Sequence, residues 1–114
     1  MSCYISIDLG GTIVKTGLVR DGKVVASSRI EASSGKGLGP MLEPLARAVD
    51  KLVADLHGDS LEGVAMAFPG IVDFDAGRNI RGRPFLYWRF AKKLCQKAKI
   101  LPSTPLHICI FPKD

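Results

Sequence analysis

Three β-forming runs precede any helical pattern in this chain, and that order admits few architectures. Cys3 to Asp8 is rich in β-formers (Tyr4, Ile5, Ile7) and is followed by the turn pair Gly10-Gly11. A second run spans Ile13 to Arg20. Asp21-Gly22, the strongest short hairpin signal, then leads into a third run from Lys23 to Ile30. The first thirty residues are therefore expected to form an antiparallel meander.

Beyond a Gly- and Ser-containing stretch from Ser33 to Pro40, the pattern changes period. Leu42, Leu45, Ala46, Val49, Leu52, Val53 and Leu56 fall at three- and four-residue spacing, which predicts an amphipathic helix against the sheet, ending near Gly58. Ser60 to Phe68 is mostly apolar, as a strand buried between neighbours would be, and Pro69-Gly70 stops it. Asp73 to Pro84 is turn-rich and charged, Leu86 to Ile100 reads as a second, basic helix, and Leu106 to Phe111 as a last strand. The order βββαβ(α)β predicts an α/β domain of the ribonuclease-H-like class, in which a three-strand antiparallel meander continues into parallel strands with flanking helices.

The 114 residues fit one small domain, 1–114, and a composition of 46% hydrophobic and 24% charged residues is that of an ordinary globular chain. No apolar run approaches the roughly 18 residues of a bilayer span, and the N-terminus lacks a basic region followed by an apolar core. The chain is read as cytoplasmic and without a membrane partner. Cys3, Cys95 and Cys109 form no CxxC pair, metal cluster or disulfide framework and are expected to be buried free thiols. His57 and His107 stand alone and receive no role. The net charge of +5 is uneven: residues 1–77 carry −3 and residues 78–114 carry +8. Arg89, Lys92, Lys93, Lys97 and Lys99 fit the solvated side of the second helix better than a nucleic-acid face, so nucleic acid is not an expected partner.

The first hairpin turn carries the chemistry. A nucleotide's terminal phosphates need converging backbone N–H groups, a hydroxyl, and a cation that a carboxylate can hold nearby. Asp8, ending the first run, can orient a hydrated Mg²⁺. Gly10 and Gly11 let the backbone turn tightly and approach a phosphate with no Cβ in the way. Thr12 adds a hydroxyl, and Lys15 on the return strand can neutralise charge in phosphoryl transfer. Gly10-Gly11 could also be only a hairpin turn, with Asp8 and Thr12 stabilising it locally. The longer pattern D-x-G-G-T-x-x-K-x-G between two β-runs is more demanding. It is neither a P-loop nor a dinucleotide-binding fingerprint, because those glycine spacings are absent at this turn.

Asp8-Leu9-Gly10-Gly11-Thr12-Ile13-Val14-Lys15-Thr16-Gly17-Leu18 resembles the first phosphate motif of the ROK family (repressors, uncharacterised frames and sugar kinases). Gly63 and Ala67-Phe68-Pro69-Gly70-Ile71-Val72-Asp73 resemble that family's second N-lobe signature, in the right order and at a fitting distance. The likeness covers roughly residues 2–109. It implies the N-terminal lobe of an actin-like ATPase that phosphorylates a hexose with ATP and Mg²⁺. It also implies that Asp8 serves the metal, that Gly10, Gly11, Thr12 and Lys15 serve phosphate, and that Gly70 and Arg83 lie near the sugar.

The sequence departs from that family at its end. Family members run to about twice this length or more and close the nucleotide between two lobes, and these 114 residues are expected to hold only the first. Pro105-Leu106-His107-Ile108-Cys109 resembles the strand leading to the family's Asn-Asp pair, whose Asp is the general base, yet Ile110-Phe111 stand in its place. No catalytic residue is assigned, and this chain alone is expected to be inactive. A fragment of a sugar-responsive transcriptional regulator is one alternative, although the seven residues before Asp8 are not expected to hold a helix-turn-helix. A non-catalytic module that forms a homodimer through its exposed lobe face is another.

Overall fold

The computed structural model describes residues 2–10, 12–31, 39–69 and 83–111, and the side chains of all of these except residues 69, 83–86, 110 and 111. Five strands, β1 (Cys3–Leu9), β2 (Ile13–Arg20), β3 (Lys23–Glu31), β4 (Leu61–Pro69) and β5 (Leu106–Phe111), form one sheet in the order β3-β2-β1-β4-β5. β1 pairs antiparallel with β2, and β2 with β3, while β1–β4 and β4–β5 are parallel. The expected meander thus continues into a parallel pair.

Asp21 and Gly22 both adopt positive φ, 51° and 81°, the twist that a two-residue hairpin needs to match its strands. The β2–β3 ladder is not regular, however. A bulge between Leu18 and Val19 shifts the register, so that Val19 faces Val24 whereas Leu18 faces Ala26.

Helix α1 (Leu42–Ala54) follows a short 3₁₀ turn (Gly39–Met41), and helix α2 (Arg83–Lys97) follows β4. α1 buries Leu45, Ala46, Val49 and Leu52, as its spacing predicts, and the chain reverses at His57 and Gly58, both at positive φ. α2 begins at Arg83 rather than Leu86. Pro84 is no obstacle there, because the first helical turn has no intrahelical partner for its N–H groups. It ends at Lys97, and Lys99 at φ 62° turns the chain before the expected end at Ile100.

Strand β1 alternates cleanly: Cys3, Ile5, Ile7 and Leu9 are buried, while Tyr4, Ser6 and Asp8 are exposed. The buried row joins Val14, Leu18, Val64, Met66 and Phe68 and the inward residues of both helices in one core. Both helices therefore lie on the same side of the sheet. Glu43 of α1 and Lys97 of α2 form an ion pair at 2.6 Å across their outer surfaces. Thr16, 3% exposed on this side, is satisfied by the Ser28 hydroxyl at 2.6 Å. Among the described residues, no element covers the other side.

Arg20 closes the far end of the sheet. Its Nε donates to Asp59 Oδ2 at 3.0 Å and its Nη2 to the Asp55 carbonyl at 3.1 Å, tying β2 to the turn after α1. The thiols are free, but they are not uniformly buried: Cys3 is buried, Cys95 is half-buried and Cys109 is exposed. The correction at Cys109 follows from pleat alternation, which turns it away from the helices. His57 and His107 are exposed as well, as are Arg89, Lys92 and Lys93 on the outer side of α2. Among the described residues, no helix is long and apolar enough to cross a membrane.

Candidate functional site

The candidate site lies on the uncovered side of the sheet, at the end where β1 turns into β2. Gly10 N donates to the Ile13 carbonyl at 3.1 Å and closes that turn. A Cβ on Gly10 would stand 2.6 Å from the same oxygen, so the geometry requires glycine. Gly11 lies outside the described residues. Thr12 is exposed where β2 begins.

Register then brings the charged candidates together. Asp8 is the Cα partner of Lys15 on β2 and of Ala67 on β4. Directly opposite residues share a face, so Asp8 and Lys15 project from the open side, and both are exposed. They form no ion pair within 4.0 Å, which leaves the carboxylate and the ammonium available to a ligand. Gly70 lies outside the described residues. The backbone that leads to it ends with β4 at Pro69, two positions beyond the partner of Asp8. Arg83 sits at the first position of α2, and its side chain lies outside those described.

One neighbour escaped the sequence reading. Arg29 of β3 is the Cα partner of Lys15, which extends the row to Ala67, Asp8, Lys15 and Arg29 across four strands. A regular two-residue hairpin about Asp21-Gly22 would instead place Ser28 opposite Lys15 and turn Arg29 towards the helices. The bulge alone reverses that assignment, and no motif at Leu18-Val19 announces it. On β4's other side, Cys109 faces Ala67.

Among the described residues, no three His, Cys, Asp or Glu side chains cluster to hold a metal ion. Asp8 nevertheless fits a share in Mg²⁺ binding, since Mg²⁺ commonly takes one or two carboxylates and completes its shell with water and substrate phosphates. The arrangement offers one carboxylate for such an ion, two cations beside it for anionic oxygens, and a tight glycine turn above. A groove of about 390 Å³ runs between β3 and α1, lined in part by Arg29, Ile30, Pro44, Arg47 and Lys51. Asp8 and Lys15 do not line it, whereas Arg29, on the edge strand β3, borders both this groove and the row on the open side.

No family model and no curated protein matches the chain. Solved structures do. The chain is similar to a ROK hexokinase from Thermus thermophilus, with a TM-score of 0.62 and 18% identity over 95% of this chain and 35% of the hexokinase. It is similar to a type II variant of the Ppx/GppA phosphatase from Aquifex aeolicus, with a TM-score of 0.52 and 12% identity over 100% of this chain and 37% of the other. RuvC from Thermus thermophilus matches with a TM-score of 0.52 and 16% identity over 95% of this chain and 61% of RuvC. The chain thus spans about a third of the length of the hexokinase and the phosphatase. At these identities the likeness establishes architecture alone: the chain has a ribonuclease-H-like fold.

Proposed function

We propose that this chain is the phosphate-binding lobe of an ATP-dependent hexose kinase of the ROK type, inactive by itself. The observation that carries the reading is the register of Asp8 with Lys15 across a turn that only glycine fits at position 10. In this reading the Gly10 and Gly11 backbone and the Thr12 hydroxyl hold terminal phosphate oxygens, and Lys15 offsets their charge as the phosphoryl group leaves. Asp8 orients a hydrated Mg²⁺, which neutralises phosphate charge when bound. Gly70 and Arg83 are assigned to the sugar side, from which the hydroxyl attacks.

The missing base limits what the chain can do alone. Positioning and a group that takes the hydroxyl proton supply much of the rate in such a transfer, and Ile110-Phe111 offer neither acid nor base. A completing lobe from a longer polypeptide or a partner would have to supply it.

The test is titration of the chain with Mg-ADP, followed by NMR, together with an assay for hexose-dependent ADP release. Weak binding that is lost in Asp8→Asn and Lys15→Gln, with no measurable turnover, is expected. Robust hexose phosphorylation by the pure chain, or nucleotide binding indifferent to both substitutions, would overturn the proposal.

A further inference from the structure

We infer that Arg29 is a second phosphate-binding cation, acting with Lys15 as a two-point clamp on an oligophosphate laid across the open side of the sheet. The inference rests on the phosphate reading above and adds a residue, a strand and a position for the ligand. Lys15 and Arg29 are directly opposite each other on adjacent strands, and both are exposed. Like charges so placed destabilise a sheet. No described carboxylate lies within ion-pair distance of either, although Asp8 stands across from Lys15 and Glu31 lies two positions along β3 on the side of Arg29. The two cations therefore lack a direct ion-pair partner, and an anion bound to both would relieve their repulsion.

Two further features favour a ligand there. The bulge at Leu18-Val19 adds one residue to β3 and so turns Arg29 outward beside Lys15. Of the two neighbouring rows on the same side, Ser27, Gly17, Ser6 and Ala65 form a small, open floor, and Ala67 flanks Asp8, whereas Ile13 and Glu31 stand in the row towards the turn. Adjacent strands lie about 4.8 Å apart, close enough for one chain of phosphates to be reached from both. The two cations have different chemistry: Lys15 offers a point charge beside Asp8, and Arg29 a planar fork suited to two phosphate oxygens at once.

The chain, isotope-labelled, should be titrated with sodium tripolyphosphate at constant ionic strength and followed by NMR, in parallel with Arg29→Gln, Lys15→Gln and Lys93→Gln. Lys93 is exposed on the outer side of α2, does not border the groove that Arg29 shares with Arg47, and serves as the control for bulk charge. Arg29→Gln is expected to bind roughly tenfold more weakly. Lys93→Gln should stay within about twofold of the parent chain. Without ligand, Arg29→Gln should melt no lower than the parent, because it removes a like-charge contact. Unchanged affinity in Arg29→Gln alongside lost affinity in Lys15→Gln would remove Arg29 from the site and leave the phosphate reading standing. An equal loss in Lys93→Gln would reduce the effect to net charge and remove the assignment. Failure of the parent chain to bind tripolyphosphate would remove both readings together.

Discussion

Tyr87 stacks on Phe68, with ring centroids 4.3 Å apart and planes 11° from parallel. Phe90 meets the same Phe68 ring edge-on, at 6.4 Å and 83°. Phe68 is 1% exposed and is the last buried position of β4 before Pro69-Gly70, so these contacts pin α2 against the end of the strand that leads towards the proposed sugar side. Phe68→Ala should cost about 3–5 kcal/mol, from lost burial and the cavity left between two rings. Urea unfolding measures it, and a loss below roughly 1 kcal/mol would show that this cluster does not anchor α2.

Gly10→Ala tests the first turn. Its Cβ would meet the Ile13 carbonyl at 2.6 Å, and because that atom is backbone, the turn itself must open. A loss of about 1–3 kcal/mol is expected, comparable to overpacking in a core. Any phosphate affinity should fall with it. If stability and affinity both survive, the tight turn is not the structure that holds the ligand.

The Glu43–Lys97 pair predicts a small acid sensitivity. The Lys97 ammonium, by its hydrogen bond and then its charge, holds the Glu43 carboxyl below its ordinary value of 4.5, with a lesser effect from Arg47. The folded chain thus takes up this proton less readily than the unfolded one. Its contribution is complete above the ordinary value and is lost as pH falls through the lowered one. Both side chains are exposed, so the effect should be modest and screened by salt. Glu43→Gln should flatten the acid limb of the stability curve slightly at low salt and leave it unchanged at high salt. An identical acid limb at low salt would show that the pair adds nothing to stability.

Thiol reactivity reads out the two sides of the sheet. Cys109 is exposed, Cys3 is buried, and burial pushes the half-buried Cys95 thiol up from its ordinary value. Alkylation with iodoacetamide near neutral pH, followed by mass spectrometry, should modify Cys109 first, Cys95 more slowly and Cys3 last. Modification of Cys3 before Cys109 would place the helices on the wrong side of β5.

Much of the fold was legible because each element carries its own signal. Asp21-Gly22 can form the hairpin turn unaided, the period of Leu42 to Leu56 specifies one buried face, and the alternation of Cys3 to Leu9 specifies another. Helix limits were less legible. Pro84 reads as a breaker in isolation, yet at a helix start it costs nothing, and Lys99 ends α2 without the glycine that would have marked the stop.

The sequence by itself determined the strand-turn-strand unit, the residues placed around it, and the order of strands and helices, because these depend on neighbours a few positions apart. Only the tertiary structure decided which charges share a face. A regular ladder would have sent Arg29 towards the core beneath α1. The bulge beside Val19 instead lets Ala26, Ser28 and Ile30 pack on the helix side and turns Arg29 out to Lys15. That choice comes from burying one face of β3 against a helix that lies far along the chain. No local pattern could have fixed it.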